Sequence, residues 1–319
     1  MSSTTRRSTD EGTGAVRVAC VGRDRRTPVA LGAVAILATA AAVIGGVSSA
    51  ARADAAPDAA PAAAPTWADA DSATITPGVQ MYTEGAQCTA NFVYTDAAGD
   101  VYVGYAAHCA GTGSSTDTDG CSTASLPLGT PVEFVSGGSL VTSGETLGTG
   151  TLAYSSWLAM ADAGEDDPET CAYNDLALVR VDPASVADVN PSVPFFGGPT
   201  ALASGGADAG EQVSSYGNSS LRAGASALSP KVGTVLASTD GGWSHTVYTV
   251  TPGIPGDSGS GFLDADGAAL GTLSTVALAP LAGSNGIGNL SHELAYARQH
   301  AGIAGLALVP GTEPFTPVL

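Results

Sequence analysis

Short apolar stretches, separated by turn residues, recur from about residue 90 to residue 276. Ala90–Thr95 and Val101–Tyr105 flank Ala98-Gly99-Asp100, a pattern that predicts a hairpin. Thr130–Val135, Gly148–Tyr154 and Leu176–Val181 predict three further strands, and Asp162–Asp167 reads as a solvated acidic loop. Pro183–Pro199, rich in Pro and Gly, reads as a crossover between two halves. Beyond it, Glu211–Tyr216, Lys231–Ala237, His245–Val250, Ser260–Leu263 and Ala269–Val276 supply a second set of strands. Helix signals are scarce. The clear one is Asn289–His300, where Leu290, Leu294 and Ala297 share a face, Asn289 is a candidate N-cap and Gly302 follows the end. The pattern predicts an all-β chain with a C-terminal helix.

The first part of the sequence departs from this rhythm. Arg17, Arg23, Arg25 and Arg26 precede an apolar run at 29–47, and Ala51-Arg52-Ala53 offers a small-residue cleavage site. Residues 1–53 therefore read as a signal and targeting segment, and the protein as secreted. The alternative is an uncleaved membrane anchor at 29–47, which is long enough to span a bilayer. Residues 54–78 begin with a Pro/Ala-rich run that buries no core and read as a pro-region or linker. Residues 79–319 remain for the folded domain: a first half at about 79–182, a second at about 200–288, and the helix and tail at 289–319.

Charge narrows the partners. Seven of the 11 basic residues precede Ala53, leaving Arg180, Arg222, Lys231 and Arg298 against 27 acids. Such a surface repels nucleic acid and anionic lipid, so neither is expected as a partner once the signal is removed. Cys88, Cys109, Cys121 and Cys171 form an even set beyond the targeting segment, which suits two disulfides in an oxidising compartment; three pairings are open. No two histidines have ligand spacing and no Cys-x-x-Cys occurs, so no metal site and no cofactor are expected.

Three segments carry candidate chemistry: Ala106-Ala107-His108-Cys109, Asn174-Asp175-Leu176-Ala177-Leu178-Val179 and Gly256-Asp257-Ser258-Gly259-Ser260-Gly261. A serine hydroxyl becomes a useful nucleophile when an imidazole takes its proton and a carboxylate holds that imidazole in the right tautomer. Singly, each segment has a blander reading: a glycine-rich turn, a structural histidine, a turn aspartate. His245, His292 and His300 read as surface or packing residues.

Together, in this order, the three segments resemble the trypsin/chymotrypsin-like serine proteases, specifically a secreted actinobacterial branch, over roughly Gln87 to Gly302. The resemblance implies His108 as base, Asp175 as orienting acid and Ser258 as nucleophile, with the Gly256 and Ser258 N–H groups as oxyanion donors. It implies two six-stranded antiparallel barrels with the cleft between them, and a protein or peptide substrate cut by a serine endopeptidase. It implies a Cys88–Cys109 bridge beside the base, which leaves Cys121 with Cys171. Active relatives bury and pair the carboxylate equivalent to Asp257, often with a freed N-terminal amine. The usual Ile-Val-Gly-Gly start is absent here, so the partner of Asp257 is open.

The same resemblance addresses specificity. The base of the primary pocket is set six residues before the nucleophile, at Pro252, followed by Gly253; trypsin-type members place an Asp there. Glutamate-selective relatives place a His just before the serine of the far wall; that serine corresponds to Ser274, and Leu273 precedes it. A pocket without a buried charge does not offset the desolvation of a charged side chain, so an uncharged, apolar residue is expected on the acyl side of the cut bond.

Two other readings compete. One is a catalytically inactive binding protein on a protease fold. The other is an α/β-hydrolase esterase, with Asp264 or Asp266 as acid and His292 or His300 as base. Ser260 occupies the last glycine position of its Gly-x-Ser-x-Gly elbow, and the alternating helices that fold requires are missing before Ser258.

Overall fold

The computed structural model describes residues 64–318 apart from 115–116, 240 and 277–280. The segment 1–53, and with it the choice between signal cleavage and an anchor at 29–47, lies outside the described residues, as does the Pro/Ala-rich run up to residue 63.

Fourteen strands carry the architecture of the described residues. The N-terminal half contains β1 (Gln80–Thr83), β2 (Ala86–Thr89), β3 (Val93–Thr95), β4 (Val101–Ala106), β5 (Pro131–Ser136), β6 (Glu145–Ser155) and β7 (Leu176–Val181). Helices α1 (Ser156–Ala163) and α2 (Pro168–Tyr173) lie between β6 and β7. The C-terminal half contains β8 (Gln212–Tyr216), β9 (Pro230–Ser238), β10 (Ser244–Thr249), β11 (Gly261–Leu263), β12 (Ala269–Val276) and β13 (Asn285–Asn289), then α3 (Leu290–His300) and β14 (Ala307–Leu308).

The C-terminal half closes into a six-stranded antiparallel barrel in the order β10-β13-β12-β11-β8-β9, as expected. The N-terminal half is instead an eight-stranded antiparallel sheet, β14-β3-β4-β7-β6-β5-β1-β2, which curls until β2 packs against β4. Its extra edge strand, β14, returns from the C-terminal tail and pairs Ala307 with Thr95.

Three apolar clusters hold this together. Met81, Val103, Tyr105, Phe134, Leu152 and Val179 fill the first half. Val213, Val235, Val247, Phe262, Leu270 and Ile287 fill the barrel. Phe92, Tyr94, Tyr154, Leu176, Leu263 and Leu290 form the third, which joins strands of both halves to α3. Truncating a buried aromatic of this kind typically costs about 3–5 kcal/mol, so the two halves are firmly fixed about the cleft between them.

Four features depart from the sequence expectations. The acidic stretch Asp162–Asp167 is mostly exposed, as expected, but its loop is short: residues 164–167 join the end of α1 to the start of α2, with Gly164 in the left-handed region. The Asp167 side chain accepts from Thr170 N at 2.8 Å ahead of Pro168, a complete N-cap. The hairpin β1–β2 and strand β13 carry no alternating apolar pattern, and β1 and β13 are buried almost throughout, polar residues included. Residues 64–78 are not a free linker. Ile75 is fully buried and pairs with Val189, and Ala68 N donates to Val189 O at 3.0 Å.

Candidate active site

β4 ends in a tight turn, Ala107–Ala110, that carries His108. The disulfide Cys88–Cys109 ties this turn to β2. Asp175 immediately precedes β7, which pairs with β4, so the ladder itself brings acid and base together. Asp175 Oδ2 lies 2.7 Å from His108 Nδ1, and Asp175 Oδ1 accepts the His108 backbone N–H at 2.8 Å. With Asp175 as the acceptor, Nδ1–H donates and Nε2 carries the free lone pair. Burial draws the imidazole pKa down; the charge and hydrogen bond of Asp175 outweigh it and leave the pKa raised above 6.5.

Two further groups grip the acid. Ser274 Oγ, on β12, donates to Asp175 Oδ2 at 2.6 Å. Glu293, on α3 and fully buried, accepts the Asp175 backbone N–H at 3.1 Å and the Thr272 hydroxyl at 2.9 Å. Burial and the nearby Asp175 charge push the Glu293 pKa up to about 8. Glu293 is thus a neutral acceptor at pH 7. In the sequence it stands in the apolar stripe of α3, three residues after Leu290, and a carboxylate on a core face was the signal that could have found it.

Ser258 sits between β10 and β11 on the opposite wall of the same cleft. Gly256 and Gly259 both adopt the left-handed region, at φ 94° and 89°. A Cβ at Gly259 would come within 2.6 Å of Thr89 O and 2.8 Å of Ala106 N, so this turn admits only glycine against the first half. The backbone N–H groups of Gly256 and Ser258 have no protein acceptor among the described residues, and the Ser258 hydroxyl has no hydrogen bond there. Such bonds commonly tighten only when substrate is bound.

The partner of Asp257 is internal. Asp257 is fully buried, with Oδ2 2.6 Å from Arg222 Nη2 and 3.0 Å from Lys231 Nζ. Oδ1 accepts Ser219 N at 3.0 Å, and Oδ2 also accepts Ile254 N at 3.1 Å. Burial lowers the Lys231 pKa, and the charge and hydrogen bond of Asp257 offset part of that. Arg222 and Lys231 were not singled out in the sequence, because only the packing of the barrel brings them to Asp257.

The cleft encloses about 670 Å³. Gly253 to Gly256 form one wall of its apolar end, Leu273 to Val276 the other, and Asn285 spans between them. Asn285 Oδ1 accepts Gly253 N at 2.8 Å, while its Nδ2 donates to Gly253 O at 3.3 Å and Thr275 O at 3.2 Å. The wall begins at Gly253; the Pro252 carbonyl faces Arg222, accepting from Nη2 at 2.9 Å. Ser274 lines the cleft and also bonds to Asp175. The other expected bridge, Cys121–Cys171, pins the loop after His108 to α2. Of the four histidines only His108 lines the cleft; His245 is buried in the barrel against Ser238 Oγ at 2.7 Å.

No family model matches the chain, and neither does any curated protein. Among solved structures, Thermobifida fusca Protease A is similar at 19% identity over 74% of this chain and 99% of that one, with a TM-score of 0.44. The Nocardiopsis protease is similar at 20% identity over 73% and 98%, with a TM-score of 0.41. Cellulomonas bogoriensis chymotrypsin is similar at 18% identity over 74% and 98%, with a TM-score of 0.40.

Proposed function

We propose that this chain is a secreted serine endopeptidase acting through Ser258, His108 and Asp175. The supporting observation is the bond from His108 Nδ1 to Asp175 at 2.7 Å, which leaves Nε2 free facing the cleft that Ser258 lines. In the proposed reaction Nε2 takes the Ser258 hydroxyl proton as Oγ bonds to the scissile carbonyl carbon, and the carbonyl π pair moves onto oxygen. The N–H groups of Gly256 and Ser258 receive that oxyanion. The intermediate then collapses, the C–N bond breaks, and the leaving amine takes the proton from His108. Water repeats the sequence on the acyl-enzyme and restores Ser258.

The pocket supports an uncharged residue on the acyl side of the cut. Its walls from Gly253 to Gly256 and from Leu273 to Val276 hold no charged side chain. The amide oxygen and nitrogen of Asn285 are both already bonded to backbone partners, so neither offsets burial of a substrate charge. The two disulfides suit an oxidising, extracellular compartment.

The test is a fluorophosphonate probe on the secreted protein, together with a peptide-library cleavage profile. Labelling at Ser258, lost in Ser258→Ala, with cuts after apolar residues, is expected. A folded, unlabelled wild type sinks the enzyme reading, and dominant cutting after Lys, Arg or Glu sinks the pocket reading.

A further inference from the structure

Gly256 sits between two peptide units, and each is held by side chains of neighbouring segments. On its C-terminal side, Gly256 O accepts from Thr89 Oγ1 at 2.7 Å and Gln87 Nε2 at 3.0 Å. On its N-terminal side, Pro255 O accepts from Ser219 Oγ at 2.6 Å, its one hydrogen-bond donor among the described residues. Ser219 is itself almost fully buried and immobilised. Its N–H donates to Asp257 Oδ1 at 3.0 Å, and its Oγ accepts Leu221 N at 3.1 Å, so the hydroxyl proton is directed at Pro255 O.

A trans peptide places its N–H opposite its C=O, and the Pro255–Gly256 peptide is not among the cis bonds. A carbonyl pinned toward Ser219 therefore turns the Gly256 N–H the other way, toward the cleft. The turn around this peptide is closed by Asp257 N donating to Ile254 O at 2.8 Å, a bond that survives either orientation of the central peptide; Pro255-Gly256 favours the observed one, and the Ser219 hydroxyl is the hydrogen bond that holds it. Glycine rotates freely about its φ and ψ, and a flipped peptide would present the Pro255 oxygen where an oxyanion donor is needed.

We propose that Ser219 is a positioning residue, whose hydroxyl holds the Pro255–Gly256 peptide in the orientation that aims the Gly256 N–H at the developing oxyanion. This rests on the serine-protease reading of the cleft and adds to it a residue outside the triad, on the turn ahead of β9. The same turn reaches Asp257 through the Ser219 N–H and Arg222, so the donor and the serine loop are held by one short segment.

The Ser219→Ala variant tests it against wild type with a peptide substrate and a peptide boronic acid. Removing an oxyanion donor outright costs about 10²–10³ in kcat; a donor that is misaimed part of the time should cost about 10-fold or more. The expected result is that loss in kcat with KM nearly unchanged. Boronate affinity should weaken by a similar factor, and Ser219→Thr, which keeps a hydroxyl, should recover most of both. Ser219→Cys, close in volume but a weak donor, carries the same comparison if the alanine variant does not fold. An unchanged kcat in the folded variant overturns the role of Ser219 alone. So does a loss shared by KM and kcat that Ser219→Thr fails to recover. A wild type that neither cleaves peptides nor binds the boronate overturns the protease reading, and this inference with it.

Discussion

His108 and Glu293 set the pH behaviour at the scale of single residues. In the proposed mechanism His108 accepts a proton only when neutral, and Asp175 raises its pKa above 6.5. The acid limb of kcat/KM for a neutral peptide substrate should therefore have its midpoint above pH 6.5, and a midpoint below that value would contradict the arrangement at Asp175. Glu293 acts on stability. Folded, it keeps its proton up to about pH 8; unfolded, it loses it near 4.5. Between those values the folded state binds the extra proton, so stability declines as pH rises through the window. Glu293→Gln keeps an acceptor for Asp175 N and has no proton to lose. Thermal melts should show the variant gaining on wild type from pH 4.5 to pH 8, whereas a constant difference would mean Glu293 does not titrate there. At the triad, Ser258→Ala should fold yet lose hydrolysis. Asp175→Asn should lower kcat by on the order of 10⁴, as the tautomer argument requires.

Among the elements, the helical segment α1–α2 between β6 and β7 is tied to both the core and the cleft. Trp157 and Met160 of α1 are buried in the core of the first half, and Trp157 also lines the cleft. The Cys121–Cys171 bridge fixes the loop after His108 to α2 across a sequence separation of 50. Closing a loop of this size contributes roughly 3–4.7 kcal/mol in the chain-entropy account. The double variant Cys121→Ala/Cys171→Ala should lose a few kcal/mol in urea unfolding, while Cys88–Cys109 keeps the base in place. A loss of well under 1 kcal/mol would mean this segment is held by packing alone. The signals for α1 and α2 were present in the sequence: Gly164 as a left-handed cap, and Asp167-Pro168 as a helix start. They were outweighed by the run of acids, which read as solvent-exposed loop.

For the molecule as a whole, the question is what holds the serine loop ready. Arg222 and Lys231 satisfy Asp257 from within the barrel, so no free N-terminal amine is needed. A form carrying an acetylated or extended N-terminus ahead of Trp67 should be as active as the trimmed form. Activity appearing only on exposure of a new amine would refute this. Trimming has a limit too. Ile75 is fully buried and Trp67 packs on the same core, so removal of residues up to 78 should destabilise the first half. Ile→Ala-scale losses of about 2–5 kcal/mol are the relevant measure for Ile75.

The His108, Asp175 and Ser258 segments were legible along the chain because their chemistry demands particular residues beside one another: a histidine at a strand end, an aspartate before an apolar strand, glycines around a serine. The C-terminal barrel was legible for a similar reason, since β8 to β12 each carry a local apolar pattern. Tertiary structure alone decided the rest. β13, with the sequence Asn-Gly-Ile-Gly-Asn, has no strand pattern of its own and is a strand because β10 and β12 flank it. β14 closes the edge of the first sheet from the far end of the chain. Ser219, Arg222, Lys231 and Glu293 lie 21 to 118 residues from the groups they hold. Their side chains meet those groups only in the packed core, where a desolvated carboxylate or a flexible peptide must find a partner. That requirement comes from burial, and burial is a property of the folded chain rather than of any local stretch of sequence.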